Sequence, residues 1–263
     1  MPVPLYGFSD APLAALAPNT ATVINTGGVV TYYPFQPALD GAGNIYVGNY
    51  VLSGPNPKVV KIAAGGGSAS VVSTGGITLG AICGVALDGA GNHFIGDHAY
   101  DRIVVVTPGG VASELAISGL SPTLSEPTEL AFDAAGNLYI ADYSPNARIV
   151  KVSSLTVAGS TSSGVGTMLD TGSYTFSPGK LTGMAVGFDG TVYIASGTDN
   201  TSHVVQVTAS GVASLLNPSG ISFLNPQGLA VDGMGNLYVA DSNHNRIVEI
   251  TTAGVASVVS VPD

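Results

Sequence analysis

A segment of 14 residues recurs along this chain of 263 residues. The best-preserved copies read GVALDGAGNHFIGD at 84–97, ELAFDAAGNLYIAD at 129–142 and GLAVDGMGNLYVAD at 228–241. A shorter copy, PALDGAGNIYVGN, occupies 37–49, and a divergent one, GMAVGFDGTVYIAS, occupies 183–196. The central aromatic residues, spaced 48, 45, 54 and 45 residues apart, are Tyr46, Phe94, Tyr139, Tyr193 and Tyr238. A period of this length is typical of four-stranded propeller blades.

Each repeat predicts four short strands, as the last copy shows. The apolar run 229–231 leads into Asp-Gly-Met-Gly-Asn at 232–236, where Gly and Asn permit the positive φ of a tight hairpin. The return strand ends at Asp241, and residues 246–250 alternate as a third strand. A Gly-Val-Ala-Ser sequence then opens a fourth strand at 254–259. Five such units predict an all-β fold, a β-propeller of four-stranded blades.

The repeat resembles the NHL family. Residues 226–247, PQGLAVDGMGNLYVADSNHNRI, follow its pattern almost throughout, and residues 127–149 follow it well. The resemblance extends from about residue 34 to the C-terminus. It implies a propeller that usually has six blades. It says little about activity, because the family includes binding platforms and, more distantly, enzymes.

Closure of the ring is predicted from the N-terminus. Residues 34–263 supply five full NHL-like blades, and residues 19–28 resemble the outer-strand segment 68–76. We therefore predict one six-bladed domain in which residues 1–33 form a partial blade or closing strand. The alternative is a five-bladed ring with an extra N-terminal strand. The insertion at 153–179 explains the 54-residue spacing and is predicted to form an extended outer strand and a linker.

The charge balance restricts the partners. With 7 Lys and Arg against 17 Asp and Glu, the net charge is −10, and the basic residues form no cluster. Nucleic acid is excluded as a partner on this ground, and no apolar stretch predicts membrane insertion. The electrostatic field of this net negative charge favours neutral or basic ligands, either a protein or a small molecule. We expect a monomer or part of a larger chain, extracellular or on a bacterial cell surface, with the leader absent from this sequence.

Two series of aspartates are interpreted as structural. The first series lies in the hairpin turn and is predicted to cap its backbone N–H groups: Asp40, Asp88, Asp133 and Asp232. The second series ends the second strand and precedes an arginine by five or six residues: Asp97 with Arg102, Asp142 with Arg148, and Asp241 with Arg246. These pairs are predicted to be salt bridges within a blade.

Polar side chains interrupt the repeat where loops are predicted to surround the central channel. Aligned innermost strands place these residues at one position: Gln36, Gly84, Glu129, Gly183 and Gly228. The set three residues earlier is Tyr33, Ala81, Glu126, Lys180 and Asn225. Loops after the second strand add Tyr50, His98 and Tyr143. The predicted binding surface consists of Gln36, Tyr50, Glu126, Lys180, Asn225 and Gln227.

Two chemical roles are considered for this surface. Glu129, desolvated by a narrow channel, is a candidate acid or base, with His98 and Tyr143 as further catalytic candidates. Glu126, Glu129 and Asn225 are also candidate ligands for a divalent cation such as Ca²⁺. The competing interpretation, which we favour over catalysis, is a solvated propeller mouth where Glu126 pairs with Lys180.

Catalytic signatures are otherwise missing from the sequence. Zinc would need three histidines to converge, and His93, His98, His203 and His244 are spread over three repeats. The resemblance to the peptide-amidating propeller lyase, a zinc enzyme, is architectural only. No GxSxG, HExxH or GxxxxGK[ST] motif occurs.

The sequence favours a non-catalytic module that binds a ligand or protein on the loop face around the channel. The alternative is a divalent-cation-dependent small-molecule hydrolase or lyase, resembling propeller lactonases or the amidating lyase, with an axial site at Glu129. A third hypothesis is an excerpted or engineered repeat protein whose role is its architecture.

Overall fold

The computed structural model describes residues 34–49, 57–197, 202–216, 218 and 220–259. These residues form twenty β-strands and two 3-10 helices of one turn each. None of the helices in this part of the chain is long and apolar enough to cross a membrane. The described residues divide into two compact units, 34–168 and 169–259.

Three repeats make up unit 34–168. Its strands are β1 Pro34–Leu39, β2 Ile45–Asn49, β3 Val59–Ile62, β4 Ala69–Val71, β5 Ile82–Leu87, β6 His93–Asp97, β7 Arg102–Val106, β8 Ala112–Ser118, β9 Pro127–Phe132, β10 Leu138–Asp142, β11 Arg148–Ala158 and β12 Thr161–Met168. The 3-10 helix His98–Tyr100 follows β6. Within each repeat the four strands pair antiparallel in chain order, so these repeats form three four-stranded meanders, which we call blades 1, 2 and 3.

Two further repeats make up unit 169–259. Its strands are β13 Leu181–Val186, β14 Val192–Ser196, β15 His203–Val207, β16 Ala213–Leu215, β17 Pro226–Val231, β18 Leu237–Asp241, β19 Arg246–Ile250 and β20 Ala256–Val259. A 3-10 helix, Ser242–His244, follows β18. The two meanders, blades 4 and 5, have the same strand order as the first three. The all-β prediction with four strands per repeat is therefore confirmed for all five full repeats.

The hairpin-turn aspartates cap the turns as predicted. In blade 3, Asp133 Oδ1 accepts hydrogen bonds from the backbone N–H groups of Ala135 and Asn137 at 3.0 and 2.8 Å. Its Oδ2 accepts from the side-chain amide of Asn137 at 2.7 Å. Gly136 has the positive φ of 78° that the turn requires. In blade 4, where Gly187 replaces the usual aspartate, Asp189 accepts from the backbone of Thr191 instead.

The predicted aspartate–arginine salt bridges are also confirmed. The Nε–Oδ2 distance is 2.9 Å for Arg102 and Asp97, 2.7 Å for Arg148 and Asp142, and 2.8 Å for Arg246 and Asp241. Each arginine also donates from Nη2 to a backbone carbonyl in the loop before the innermost strand, as Arg102 does to Thr78 at 2.6 Å. Each aspartate accepts a backbone N–H from the same loop. The pair therefore fixes the loop on which the inner strand begins.

The core of unit 34–168 consists of side chains that pack between successive sheets. One cluster joins blades 1 and 2 and includes Tyr46, Val59, Ile82 and Ile95. Another joins blades 2 and 3, where the rings of Phe94 and Phe132 meet edge to face at a centroid distance of 5.0 Å. Face-to-face packing of small sheets is the arrangement expected for propeller blades.

Blades 2 and 3 share one eight-stranded sheet. The 153–179 insertion contains the end of β11 and all of β12, and β12 pairs in parallel with β8, the outer strand of blade 2. A buried hydrogen bond between the hydroxyls of Ser113 and Ser162, 2.9 Å long, reinforces the junction. The sequence predicted an extended outer strand here, and the structure shows in addition what that strand pairs with.

Inner strands of neighbouring blades approach so closely that glycine is required between them. A Cβ atom on Gly84 would overlap the carbonyl oxygen of Thr128 in blade 3. Within unit 169–259, a Cβ on Gly183 would overlap the carbonyl of Gln227. At Gly228 the nearest atom among the described residues is the Cβ of Ala240, at 3.8 Å, an ordinary contact.

Ring closure rests on residues 1–33, which lie outside the described residues. The choice between six blades and five with an extra strand stays a prediction.

Candidate functional site

Two loops meet at the same end of every blade for which both are described. The backbone N–H of the first residue after the second strand donates to the carbonyl of the last loop residue before the inner strand. The pairs are His98 to Ala81 at 2.9 Å, Tyr143 to Glu126 at 3.3 Å, Gly197 to Lys180 at 2.9 Å and Ser242 to Asn225 at 3.3 Å. These loops define what we call the loop face of each blade.

Four of the predicted site residues lie together on the loop face of unit 34–168. The rings of His98 and Tyr143 have centroids 6.4 Å apart and are tilted by 58°. Glu126 lies beside Tyr143 through the backbone bond above, and Glu129 is the third residue of β9. With Cys83 on β5 these residues form the carboxylate patch: Cys83, His98, Glu126, Glu129 and Tyr143.

The backbone at Glu126 is held in an uncommon conformation. Its φ is 53°, in the left-handed region, and its N–H donates to Asp101 Oδ1 at 2.7 Å. Asp101 ends the 3-10 helix of blade 2 and also has a left-handed φ, of 54°. The bond links the loop of blade 2 to the loop of blade 3. It thereby fixes the position from which the Glu126 side chain projects.

Charge and burial act together on the carboxylate patch. Burial, followed by the negative charges of Glu129 and Glu126, raises the pKa of the Cys83 thiol to about 12. Burial, followed by Glu126 and Cys83, raises the pKa of the Tyr143 hydroxyl above its ordinary value. Both groups are therefore protonated and uncharged at neutral pH beside two carboxyl groups.

Gln36 lies next to the patch but uses its amide within the protein. Its Nε2 donates to the carbonyl of Leu130 at 3.0 Å, and its Oε1 accepts the Leu130 N–H at 2.9 Å. The side chain passes close to Gly84, since a Cβ there would lie 3.1 Å from Gln36 Oε1. Gln36 therefore borders the patch and ties β1 to β9.

In unit 169–259 the predicted residues also lie on or beside the loop face. Asn225 has a left-handed φ of 53°, and its N–H donates to Ser202 Oγ at 3.0 Å. Its Nδ2 donates to Asn243 Oδ1 at 3.3 Å, while its Oδ1 is buried without a hydrogen-bond partner among the described residues. Gln227 is exposed on β17, and the carbonyl of Lys180 accepts the loop bond described above. Tyr50 lies outside the described residues.

No metal centre is evident in the part of the chain that the structure describes. Within those residues, no three His, Cys, Asp or Glu side chains are grouped so that they could hold a metal ion. The histidines are distributed over β6, the two 3-10 helices and β15. The calcium site at Glu126, Glu129 and Asn225 stays a prediction.

Comparison with known proteins agrees with the repeat. Residues 223–250, which contain β17, β18 and β19, match the family model of the NHL repeat. The chain carries an NHL repeat within a β-propeller fold. A comparison with curated protein sequences gives no significant match.

Solved structures with the same fold include two lyases and a gluconolactonase-like protein. Virginiamycin B lyase from Staphylococcus aureus is 15% identical, with 91% of this chain and 73% of that chain covered and a TM-score of 0.59. A streptogramin B lyase is 16% identical, with 88% and 69% covered and a TM-score of 0.60. The gluconolactonase-like protein is 19% identical, with 88% and 77% covered and a TM-score of 0.60. At these identities the likeness establishes the fold alone.

Cys83 is the member of the patch that sequence reasoning missed. It is the single cysteine of the sequence, and it directly precedes Gly84 on an inner strand. That adjacency was the available signal. A side chain next to the close-approach glycine lies near the following blade, which here carries Glu126 and Glu129.

Proposed function

We propose that this chain is a non-catalytic binding module that holds a neutral or cationic ligand on its loop face, at the carboxylate patch of unit 34–168. The ligand is a small molecule or an exposed segment of a protein. The observation that carries the proposal is the grouping of two carboxyl groups with the tilted rings of His98 and Tyr143, whose centroids lie 6.4 Å apart. Burial and nearby negative charge raise the pKa of the Cys83 thiol to about 12 and the pKa of the Tyr143 hydroxyl above its ordinary value, so neither group ionises at neutral pH.

This state suits binding better than covalent catalysis. A cysteine nucleophile acts as the thiolate and needs a lowered pKa, whereas the pKa of Cys83 is raised to about 12. Tyr143 likewise is a poor base with a pKa above its ordinary value. The Tyr143 hydroxyl and two carboxyl groups beside a pair of aromatic rings provide hydrogen bonding and charge for recognition.

The chemistry of the patch favours a ligand with an amine, guanidine or amide group. Glu126 and Glu129 attract a positive charge, and the net charge of −10 does so at longer range. The tilted rings of His98 and Tyr143 offer faces on which a cation or planar group could rest. Gln36 borders this patch, whereas the other predicted contacts Lys180, Asn225 and Gln227 belong to the loop face of unit 169–259.

A thermal-shift comparison of three probes tests the proposal. The probes are argininamide, its analogue citrulline amide, which lacks the side-chain charge, and the anion N-acetylglutamate, each at the same ionic strength. A ligand that binds only the folded state raises the melting temperature. We expect a rise with argininamide, a smaller rise with citrulline amide and none with the anion.

Matched variants separate specific binding from general charge attraction. Glu126→Gln and Glu129→Gln should each lose most of the argininamide shift. Glu114→Gln removes the same charge from β8, where the side chain is 61% exposed, and should keep the shift. Equal loss in all three variants, or equal shifts with all three probes, would refute a specific site at the patch.

A divalent-cation-dependent hydrolase or lyase is the second candidate. It is favoured by the resemblance in fold to two lyases and a gluconolactonase-like protein. In this proposal Glu129 and Glu126 of unit 34–168 hold Ca²⁺, and His98 or Tyr143 transfers a proton. Melting with and without Ca²⁺, in wild type and Glu129→Gln, tests it. A wild-type shift that the variant loses supports the candidate, and the lack of any shift rules it out.

A further inference from the structure

His93 occupies a position that is apolar in the other repeats. It is the first residue of β6, and the first residues of the other second strands are Ile45, Leu138, Val192 and Leu237. Leu138, Val192 and Leu237 are no more than 1% exposed, because this position faces the core. His93 is itself buried at 9% exposure. A titratable ring therefore replaces a core aliphatic residue in this one repeat.

The imidazole ring packs between blades 1 and 2. Its centroid lies 4.7 Å from that of Tyr46 on β2, with the rings tilted by 55°. Tyr46 belongs to the apolar cluster that joins the two blades. The position lies at the opposite end of β6 from His98, so it is separate from the loop face.

Among the described residues, only one of the two His93 ring nitrogens has a hydrogen-bond partner. Nδ1 lies 3.3 Å from the carbonyl oxygen of Val106. A carbonyl can only accept, so the neutral ring carries its proton on Nδ1 in this contact. Nε2 is buried without a hydrogen-bond partner among the described residues. A second proton on Nε2 would thus create a buried cation whose N–H finds no acceptor there.

The charged groups around the ring come from three other elements. Lys61 on β3 lies with its Nζ 5.5 Å from the centroid of the Tyr46 ring, so that ring already faces one cation. Asp40 follows β1 and accepts the Tyr46 hydroxyl at 3.0 Å. Asp88 follows β5 and is held by the side-chain amide of Asn92 at 2.7 Å. Lys61 opposes protonation of His93, and the two aspartates favour it.

We propose that His93 is an acid-sensitive latch of the interface between blades 1 and 2: the neutral ring packs against Tyr46, and its protonation loosens blade 1 from blade 2. The proposal concerns the core of unit 34–168 and is independent of any ligand on the loop face.

The direction of the pH effect follows from the environment of the ring. Burial, the largest cause, lowers the pKa of His93 below its ordinary value, and Lys61 acts in the same sense. The unfolded chain therefore binds the proton more readily than the folded one. Stability contributed by the neutral ring is complete above the ordinary pKa of about 6.5 and is lost as the pH falls through and below that value.

Melting of the wild type is compared with that of two variants between about pH 7.5 and pH 5.5, a window around the ordinary histidine pKa. His93→Leu restores the residue of blades 3 and 5, and His93→Gln keeps a polar group that cannot be protonated. We expect the wild-type melting temperature to fall by roughly 3 °C more than that of either variant. Using both variants separates loss of protonation from loss of polarity, and one suffices if the other does not fold.

Two measurements on the wild type locate the effect. In an NMR titration the His93 ring should titrate below the ordinary value. Hydrogen exchange at about pH 5.5, corrected for intrinsic rates, should accelerate by about tenfold in residues 34–49 relative to residues 127–142. Identical pH dependence in wild type and variants, a His93 titration at or above 6.5, or equal acceleration in both segments would overturn the proposal.

Discussion

The side chain of Gln36 forms two hydrogen bonds with the backbone of Leu130, 94 residues away, donating to its carbonyl at 3.0 Å and accepting its N–H at 2.9 Å. The backbone bond from Asp133 to Asn137 sets the alternation of the β9–β10 ladder, so the Leu130 N–H and C=O point away from β10. These two groups would otherwise be an unpaired site on the inner edge of blade 3. A carboxamide matches them because it offers one donor and one acceptor side by side.

Replacing Gln36 should therefore destabilise unit 34–168. We expect Gln36→Leu, which keeps much of the volume, to lower the free energy of unfolding by about 1–3 kcal/mol, since it leaves a half-buried donor and acceptor unpaired. Gln36→Glu should be intermediate, because an ionised carboxylate can accept the N–H but cannot donate to the carbonyl. Urea unfolding monitored by tyrosine fluorescence measures both.

The exposed glutamine at 227 provides the control for this comparison. Gln227→Leu should change the free energy of unfolding by less than about 0.5 kcal/mol. An equal effect of Gln36→Leu and Gln227→Leu would mean that the two hydrogen bonds between Gln36 and Leu130 contribute nothing to stability.

Replacing only one partner of the salt bridge between Asp142 and Arg148 should strongly destabilise the protein. Asp142 is fully buried, and Arg148 neutralises it at 2.7 Å while also donating to the carbonyls of Pro122 and Thr123. Arg148→Met leaves a buried carboxyl group uncompensated, so we expect a loss of about 3–5 kcal/mol in the free energy of unfolding.

A double-mutant cycle checks that interpretation. Asp142→Leu combined with Arg148→Met removes both charges and should be less destabilised than the arginine variant alone. If the single and double variants lose equal stability in urea unfolding, the uncompensated charge is not the cause.

Acid should weaken the corresponding salt bridge of blade 5, in which Asp241 pairs with Arg246. Burial raises the pKa of Asp241, but the Leu224 N–H, His244 and Arg246 together outweigh it and hold the pKa below its ordinary value. The unfolded chain therefore takes up the proton first. The stability that Asp241 contributes is present above the ordinary pKa of about 3.9 and is lost as the pH falls below it.

Urea unfolding at about pH 5 and about pH 3, on either side of that value, measures the loss. Asp241→Asn should lose less stability between the two conditions than the wild type does. Asp170→Asn, at an exposed aspartate of the same unit, should keep the wild-type dependence. A wild-type dependence in both variants would contradict the assigned role of Asp241.

Sequence reasoning succeeded where the determinants lie within a single repeat. Asp133 and Gly136 define a turn over five residues, and the spacing of Asp142 and Arg148 places them opposite each other on paired strands. The turn aspartate recurs in four copies and the aspartate–arginine pair in three, so the pattern identifies both without coordinates. The four strands per repeat follow from the same local rules.

Contacts between blades could not be predicted in this way. The bond from Gln36 to Leu130 depends on the distance between inner strands, and the pairing of β8 with β12 depends on the length and bend of an insertion. For the candidate site, the repeat alignment selected Glu126 and Glu129 as departures. It could not place Cys83 beside them, because that neighbour belongs to the preceding blade.

Two glycines at the same position of the repeat should respond in opposite ways to alanine. A Cβ at Gly84 would overlap the carbonyl oxygen of Thr128 and crowd the Cα of Glu129 at 3.2 Å. Backbone atoms cannot move aside without shifting β9, so Gly84→Ala should cost about 1–3 kcal/mol in the free energy of unfolding. Among the described residues, a Cβ at Gly228 would meet only that of Ala240, at 3.8 Å, an ordinary contact. Gly228→Ala should be neutral or slightly stabilising, by up to about 1 kcal/mol, because it reduces the freedom of the unfolded chain. Urea unfolding of both variants decides the matter, and a comparable loss at the two positions would show that close approach of the next inner strand is not what requires glycine at position 84.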